Sequence, residues 1–185
     1  MSESLQRKTL IYLTGFMGSG KSTIGPILAN TLGYEFIDID KAIEQRLGKS
    51  VKEIFRSEGA EFFRTTERDV IEEISKRDHI VVSLGGGSLV EPANFLRVKT
   101  SGLLIYLESS PEHLLKRLQH KSDRPVLADS EGDRLEYGAL RERVMNLYRE
   151  REPIYAQADL TIHTDQKKVG LTVDEIVKRL TRHGR

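Results

Sequence analysis

The sequence predicts an α/β fold, built on a parallel sheet with helices between its strands. Short apolar segments alternate with longer segments of helical periodicity, which is the pattern that consecutive β-α-β units produce. Most of the short segments are apolar enough to be covered on both faces, as the strands of a parallel sheet are. At 185 residues the chain is long enough for one core of this kind, so we expect a single domain over residues 1–185.

Five short segments are predicted to be the strands, at residues 9–14, 35–38, 79–84, 103–107 and 160–163. Helices are expected to fill the gaps between them. Ser50 with Glu53, and Thr172 with Glu175, have the spacing of the capping boxes that begin helices. Local signals therefore agree with the alternation of strands and helices.

Two stretches depart from this alternation. Residues 41–77 are predicted to form a pair of polar helices, in which Gly48 and Gly59 occupy positions typical of helix ends. The charged run at 67–76 mixes signs at helical spacing and predicts an exposed helix face. Residues 120–133 contain few apolar side chains, which predicts a surface loop and is compatible with a lid.

The composition excludes several classes of protein. Lys and Arg number 29 against 28 acids, and the pI of about 8.0 lacks the basic excess of a dedicated nucleic-acid binder. The chain has no cysteine, which excludes disulfides, thiolate zinc sites and cysteine nucleophiles, and its five histidines lack metal-ligand spacing. The first eight residues are polar, and the apolar run after them is interrupted by Gly15 and Lys21. We therefore expect no signal peptide, no membrane span and a cytoplasmic location.

A glycine-rich turn directly follows the first predicted strand. Residues 15–23 read GFMGSGKST and satisfy the P-loop pattern G-x-x-x-x-G-K-[ST], with a helical segment after them. Glycines let the backbone present N–H groups to phosphate oxygens, and the helix N-terminus attracts anions. Lys21 is predicted to reach the β- and γ-phosphates, and Ser22 to bind Mg²⁺. Nucleotide contacts are expected from Gly18, Ser19, Gly20, Lys21, Ser22 and Thr23. The loop alone does not separate kinases from GTPases or other ATPases.

Two acids end the second predicted strand. Asp38 and Asp40 lie two residues apart, a spacing that directs both side chains to one side of a strand. One could serve the metal ion, for which we favour Asp38, and the other a substrate hydroxyl. The alternative for Asp40 is that it only caps the helix expected to begin near Lys41.

These motifs together resemble the shikimate kinase family over residues 9–182. The resemblance is carried by GFMGSGKST at 15–23, FIDID at 36–40, EFFR at 61–64, SLGGGS at 83–88, RP at 124–125 and REPIY at 151–155. It implies transfer of the ATP γ-phosphoryl group to the 3-hydroxyl of shikimate, a step towards chorismate and the aromatic amino acids. It also implies a three-layer α/β/α P-loop fold of the nucleoside monophosphate kinase type, whose five-stranded parallel sheet has the order 2-3-1-4-5.

The same resemblance implies a substrate site. It assigns Asp40, Arg64, Gly86 and Arg151 to shikimate, with Gly85 and Gly87 flanking the backbone contact. Guanidinium groups suit a carboxylate, and an acid suits hydroxyl groups. Asp40 is also implied to orient the attacking hydroxyl. Phe55 and Phe63 match positions of an apolar wall beside the ring, although core packing explains a Phe at either position equally well.

On the nucleotide side, Arg124 matches the family's lid arginine and is expected to act in catalysis with Lys21 and Asp40. Arg117 matches the position whose guanidinium stacks on adenine, although an ion pair on the helix surface is a comparable alternative. Lys167 lies in the loop after the last strand, where many family members carry an arginine and a proline. Here Lys167 and Val169 replace them, which weakens the expected preference for adenine.

Two competing functions follow from the same motifs. A kinase of this architecture could act on gluconate or a nucleoside monophosphate, although one carboxylate site with hydroxyl ligands suits shikimate better. A non-catalytic nucleotide-binding module is the other alternative, and it need not keep Lys21, Ser22, Asp38, Asp40 and Arg124 together. We expect ATP, Mg²⁺ and shikimate as ligands, a monomer, and neither nucleic acid nor membrane as a partner.

Overall fold

A computed structural model describes residues 9–119 and 135–183 of the chain. Its centre is a parallel sheet of five strands, β1 (Leu10–Thr14), β2 (Glu35–Asp38), β3 (Ile80–Ser83), β4 (Leu103–Glu108) and β5 (Leu160–His163). The strand order is β2-β3-β1-β4-β5. This confirms the predicted fold, and each strand lies within one residue of its predicted bounds.

Eight α-helices and one 3₁₀ turn are formed within the described ranges. They are α1 (Lys21–Leu32), α2 (Ile39–Leu47), α3 (Val51–Ser57), α4 (Gly59–Ile74), the 3₁₀ turn (Ser88–Val90), α5 (Pro92–Ser101), α6 (Pro111–Leu118), α7 (Tyr137–Tyr155) and α8 (Val169–His183). None of the helices seen in these ranges has both the length and the apolar character needed to cross a membrane.

Both faces of the sheet are covered, because side chains of each strand alternate between two cores. From β1, Leu10 and Tyr12 enter one core, which also holds α2 to α5. Ile11 and Leu13 enter the other core, together with residues of α1 and α8. A third apolar cluster joins α6 and α7 to β4 and to Phe16 of the glycine-rich turn. The result is the predicted three-layer α/β/α arrangement.

The local signals for helix boundaries were partly right. Residues 41–77 hold parts of three helices rather than a pair. Ser50 and Glu53 form the predicted capping box of α3, and Gly48 caps α2 in the left-handed conformation. Thr172 is not a cap, because α8 begins at Val169 and Thr172 lies inside it. Its hydroxyl instead donates to the carbonyl of Lys168, four residues back, as threonines within helices often do.

Candidate active site

The glycine-rich turn connects β1 to α1 at the carboxyl end of the sheet. Gly20 is the N-cap of α1, with φ of +105°, and Gly15 has φ of +140°. A Cβ atom on Gly15 would lie 2.6 Å from the carbonyl oxygen of Leu107 in β4. Only glycine fits at this position, since both the conformation and the space exclude a side chain. The turn is therefore held against the sheet with its backbone exposed to a ligand.

Lys21 begins α1 and folds back over the turn. Its side chain is buried, and Nζ donates to the carbonyl oxygens of Gly15 at 2.7 Å and Phe16 at 3.1 Å. These bonds hold the ammonium group above the loop that the sequence predicts to surround the phosphates. The contact of Lys21 with the β- and γ-phosphates stays a prediction.

Ser22 and Asp38 meet beside this turn. Ser22 Oγ donates to Asp38 Oδ2 at 3.1 Å, which places a hydroxyl and a carboxylate oxygen together. Such hard oxygen donors suit Mg²⁺, which commonly takes one or two carboxylates and completes its shell with phosphate oxygens and water. Across the described ranges, no three His, Asp or Glu side chains group as a complete metal site.

The capping role foreseen as an alternative for Asp40 belongs to Asp38. Asp38 is the N-cap of α2 and accepts a hydrogen bond from the backbone N–H of Lys41 at 3.3 Å. Asp40 is the second residue of α2 and lies at the edge of the cavity. The N-cap of this helix is therefore Asp38 and not Asp40.

A cavity of about 390 Å³ unites the predicted nucleotide residues with the two acids. The residues of the glycine-rich turn line its floor. Its walls include Asp38, Asp40, Gly85, Gly86, Arg117, Thr164, Lys167 and Val169. The predicted residues Phe55, Phe63, Arg64 and Arg151 are not part of this lining, and the two arginines lie beside Gly87 in the glycine run at 85–87.

Two arginines converge on that glycine run. A Cβ atom on Gly87 would lie 3.0 Å from Arg64 Nη2 and 3.5 Å from Arg151 Nη2. Arg151 is buried, and its Nη1 donates to the carbonyl oxygen of Gly86 at 3.2 Å. Its Nε is buried without a hydrogen-bond partner within residues 9–119 and 135–183. Two guanidinium groups with a spare buried donor form a site suited to a carboxylate.

Two carboxylates reach the first glycine of the run. A Cβ atom on Gly85 would lie 3.2 Å from Asp40 Oδ1 and 3.2 Å from Glu67 Oε1. The glycine run therefore has carboxylates beside Gly85 and guanidinium groups beside Gly87. The absence of side chains at these glycines lets both groups approach the backbone.

Glu67 is a site residue that the sequence analysis missed. Its side chain has no exposed surface, so the predicted exposed helix face at 67–76 is wrong at its first residue. Glu67 accepts hydrogen bonds from Arg64 Nη1 and Ser88 Oγ. Burial raises the pKa of its carboxyl above the usual value, although Arg64 and Ser88 favour the ionised form. The spacing of three residues from Arg64 on one helix was the available signal.

The two phenylalanines pack together beneath Arg64. The ring centroids of Phe55 and Phe63 are 4.8 Å apart, and the Arg64 guanidinium carbon lies 5.2 Å from the Phe63 centroid. Phe63 is buried in the core, and Phe55 is half-buried against the same core. Both rings therefore contribute to the core, and their role as an apolar wall beside the ring of the substrate stays a prediction.

Arg117 and Lys167 lie at the other end of the cavity. Arg117 Nη1 donates to the carbonyl oxygen of Gly18 at 2.8 Å, which fixes the guanidinium beside the glycine-rich turn. Lys167 forms an ion pair with Glu175 at 2.7 Å, and Glu175 also pairs with Arg179. The predicted lid at 120–133, with Arg124, lies outside the residues that the structure describes.

Asp165 joins the two elements that carry Arg117 and Lys167, and the sequence analysis missed it. It accepts from the backbone N–H of Ser110 at 2.9 Å and from the hydroxyl of Ser109. Although burial opposes ionisation, these hydrogen bonds hold the pKa of Asp165 below its usual value. The loop after β5 is thus tied to the start of α6.

Comparison with known proteins identifies the family. The family model described as shikimate kinase matches residues 17–181. A shikimate kinase of Chlorobaculum tepidum is 48% identical over 179 residues, which cover 97% of this chain and 94% of that protein. A shikimate kinase of Prosthecochloris aestuarii is 46% identical over 179 residues, which cover 97% of this chain and 91% of that protein.

Solved structures agree with these relatives. A shikimate kinase from Acinetobacter baumannii, solved in complex with shikimate, superposes with a TM-score of 0.86 at 32% identity, covering 95% of this chain and 94% of that one. A gluconokinase from Sinorhizobium meliloti reaches a TM-score of 0.60 at 18% identity, with 96% and 94% covered, and shares the fold alone. The family model, the near full-length relatives and the superposed structure agree, and the chain belongs to the shikimate kinase family.

Proposed function

We propose that this enzyme transfers the γ-phosphoryl group of ATP to the 3-hydroxyl of shikimate at the site described above. The observation that carries the proposal is the glycine run 85–87, which has Asp40 beside Gly85 and two arginines beside Gly87. Shikimate carries one carboxylate and three hydroxyl groups, so the two ends of the run match the two kinds of group on the substrate. The cavity over the P-loop opens beside the same run.

The nucleotide is proposed to lie over the P-loop. Backbone N–H groups of residues 18–23 and the N-terminus of α1 attract the phosphates, and Lys21 exchanges its loop carbonyls for β- and γ-phosphate oxygens. Ser22 and Asp38 would hold Mg²⁺, which when bound neutralises charge on the phosphates. Arg117, Arg124 and Lys167 are proposed to complete the nucleotide site, with Arg117 beside the base.

The acceptor is proposed to bind by its carboxylate to Arg64 and Arg151, with Gly86 contributing backbone contacts. Asp40 orients the 3-hydroxyl group towards the γ-phosphorus. In the reaction the hydroxyl oxygen forms a bond to this phosphorus, and the bond to the bridging oxygen of ADP breaks. Asp40 accepts the hydroxyl proton, although a loose transition state depends more on positioning than on a strong base.

The decisive experiment measures ADP formation with ATP, Mg²⁺ and four acceptor conditions. These are shikimate, gluconate, a nucleoside monophosphate and no acceptor. We expect acceptor-dependent ADP formation with shikimate alone. Equal turnover with gluconate would reject the proposed acceptor, and omission of Mg²⁺ from the shikimate reaction tests the proposed metal. A monomeric state and a cytoplasmic location stay predictions.

Arg64→Ala tests the proposed carboxylate contact. Loss of a charge-assisted hydrogen bond is expected to raise the shikimate KM by roughly 10- to 100-fold and to leave the ATP KM within about twofold. The matched control is Arg68→Ala, one turn later on α4, where Arg68 is exposed and contacts Thr65. A shikimate KM that changes equally in both variants would remove Arg64 from the site.

A further inference from the structure

Tyr155 is a buried tyrosine whose hydroxyl group contacts the glycine run. It is the last residue of α7, and only 1% of its surface is exposed. The hydroxyl donates to the carbonyl oxygen of Gly86. Burial raises the pKa of Tyr155 to about 12, so the group stays protonated and remains a donor at neutral pH. The roles assigned above do not use this residue.

Two donors from one helix meet on the same carbonyl oxygen. Arg151 and Tyr155 lie four residues apart on α7, which places their side chains on one face. Arg151 Nη1 donates to Gly86 O at 3.2 Å, beside the bond from Tyr155. A carbonyl oxygen has two lone pairs, so both bonds are made together. Tyr155 and Arg151 therefore share one acceptor, so the position of the Arg151 guanidinium is coupled to the carbonyl group that Tyr155 holds.

These bonds also orient the peptide between Gly86 and Gly87. A trans peptide is planar, so its C=O and N–H point in opposite directions. With the Gly86 carbonyl fixed on α7, the N–H of Gly87 points away from α7. A glycine run has no side chains that would hold this peptide in place, so the two donors restrain it together with the backbone bonds that Gly85 and Gly87 accept from Ser88 and Val90.

The same contact connects the acceptor side to the P-loop. A Cβ atom on Gly86 would lie 3.5 Å from the backbone nitrogen of Met17 and 3.8 Å from the carbonyl oxygen of Gly15. The Tyr155 ring packs on Tyr106, with centroids 5.3 Å apart, in the cluster that includes Phe16 and Met17. Tyr155 therefore packs under the P-loop while its hydroxyl holds the run.

We propose that Tyr155 is a positioning residue for the acceptor, which acts by holding Gly86 and Arg151 in their binding geometry. The inference rests on the proposed roles of those two residues. It predicts a specific kinetic effect, because the ring contributes to packing whereas only the hydroxyl touches the acceptor side. Removal of the hydroxyl should weaken acceptor binding and leave nucleotide binding unchanged.

The test compares Tyr155→Phe with Tyr106→Phe. Both substitutions remove one buried hydroxyl from the same cluster, but the Tyr106 hydroxyl lies 3.5 Å from that of Tyr148 and does not contact the run. In Tyr155→Phe we expect the shikimate KM to rise about five- to tenfold, as for one lost hydrogen bond, with the ATP KM within twofold. In Tyr106→Phe we expect both KM values to stay within about twofold of wild type.

The outcomes separate this inference from the proposed function. Wild-type enzyme without shikimate-dependent ADP formation would reject the proposed function. Active wild-type enzyme together with an unchanged shikimate KM in Tyr155→Phe would overturn the Tyr155 inference alone, even if the melting temperature fell.

Should Tyr155→Phe not fold, 3-fluorotyrosine at position 155 provides a second test. It keeps the ring and makes the hydroxyl a stronger hydrogen-bond donor. A shikimate KM at or below the wild-type value is then expected, and a higher one would overturn the inference.

Discussion

Glu67 is fully buried and lies beside three charged or polar groups. Its carboxylate lies against Arg64 and Ser88, and Asp40 adds repulsion from the cavity side. Burial disfavours the charged form more strongly than Arg64 and Ser88 favour it, so the pKa of Glu67 is raised. Ionisation of Glu67, which orients Arg64, therefore lowers the stability of the folded state by an amount that depends on pH.

This cost predicts that the unfolding free energies of wild type and Glu67→Gln differ by an amount that changes with pH. Above the unfolded value of 4.5, the unfolded chain loses the Glu67 proton while the folded chain keeps it. The unfolding free energy of wild type should therefore fall, relative to Glu67→Gln, as the pH rises from 4.5 through the folded pKa. Urea unfolding of both proteins at half-unit steps from about pH 4.5 to 8 measures it.

Glu73→Gln is the matched control for that series. Glu73 lies on the same helix but is exposed, and the hydrogen bond from Arg46 lowers its pKa. Glu73 is ionised in both the folded and the unfolded state above about pH 5. The difference in unfolding free energy between Glu73→Gln and wild type should therefore stay constant above that pH. If the difference in unfolding free energy between wild type and Glu67→Gln were equally constant with pH, the conclusion that the pKa of Glu67 is raised would be wrong.

Sequence reasoning found those site residues whose role is visible in their type and spacing. Lys21, Ser22 and Asp38 were predicted from a loop pattern and an acid at a strand end, and the structure brings them together. Glu67 was missed because an acid among mixed charges on a helix normally faces solvent, and only the tertiary contact with Ser88 shows otherwise. Tyr155 lay within a recognised motif, yet its partner Gly86 is 69 residues away.

At the scale of elements, the capping box of α3 makes a helix of only seven residues well defined. Ser50 Oγ accepts from the backbone N–H of Glu53, and Glu53 Oε2 accepts from the backbone N–H of Ser50 at 2.7 Å. Such a short helix is unstable alone, so it depends on this cap and on Ile54, which is buried in the core.

Ser50→Ala should lower the unfolding free energy by about 1 kcal/mol, because the backbone N–H of Glu53 loses the Ser50 hydroxyl as its acceptor. Urea unfolding at pH 7 measures the change. Ser57→Ala removes a hydroxyl from the other end of the same helix, where it contacts only Glu58 among the described hydrogen bonds. That control should change stability by less than about 0.5 kcal/mol. Equal losses in the two variants would contradict the cap as the cause.

Strands were easier to predict than helix boundaries. β1 and β3 are short apolar segments between polar ones, and burial on both faces accounts for their extent. Residues 41–77 were predicted as two helices, although Gly48 and Gly59 were both recognised as helix ends, and the breaks near these two glycines divide the stretch among three helices. The error at Thr172 has a similar origin, since α8 starts one turn earlier without a side-chain signal that the sequence analysis recognised.

At the scale of the whole molecule, the proposed acceptor site draws its residues from distant parts of the chain. Asp40 comes from α2, Arg64 from α4, Gly86 from the turn after β3, and Arg151 from α7. The parallel sheet brings these elements to one edge, because the carboxyl ends of its strands lie together. A ligand that contacts all four elements restrains the entire domain rather than one loop.

Shikimate should therefore stabilise the folded domain in a concentration-dependent way. At a concentration about 100 times its Kd the gain is about 2.7 kcal/mol, which for a chain of this size corresponds to a Tm increase of roughly 5–11 °C. Differential scanning calorimetry measures the increase for wild type and for Arg64→Ala at the same shikimate concentration. The variant should show a much smaller increase, because half of the proposed carboxylate contact is absent. Gluconate is the control ligand and should leave the wild-type Tm unchanged. An equal increase with gluconate, or in Arg64→Ala, would mean that stabilisation does not depend on this carboxylate site.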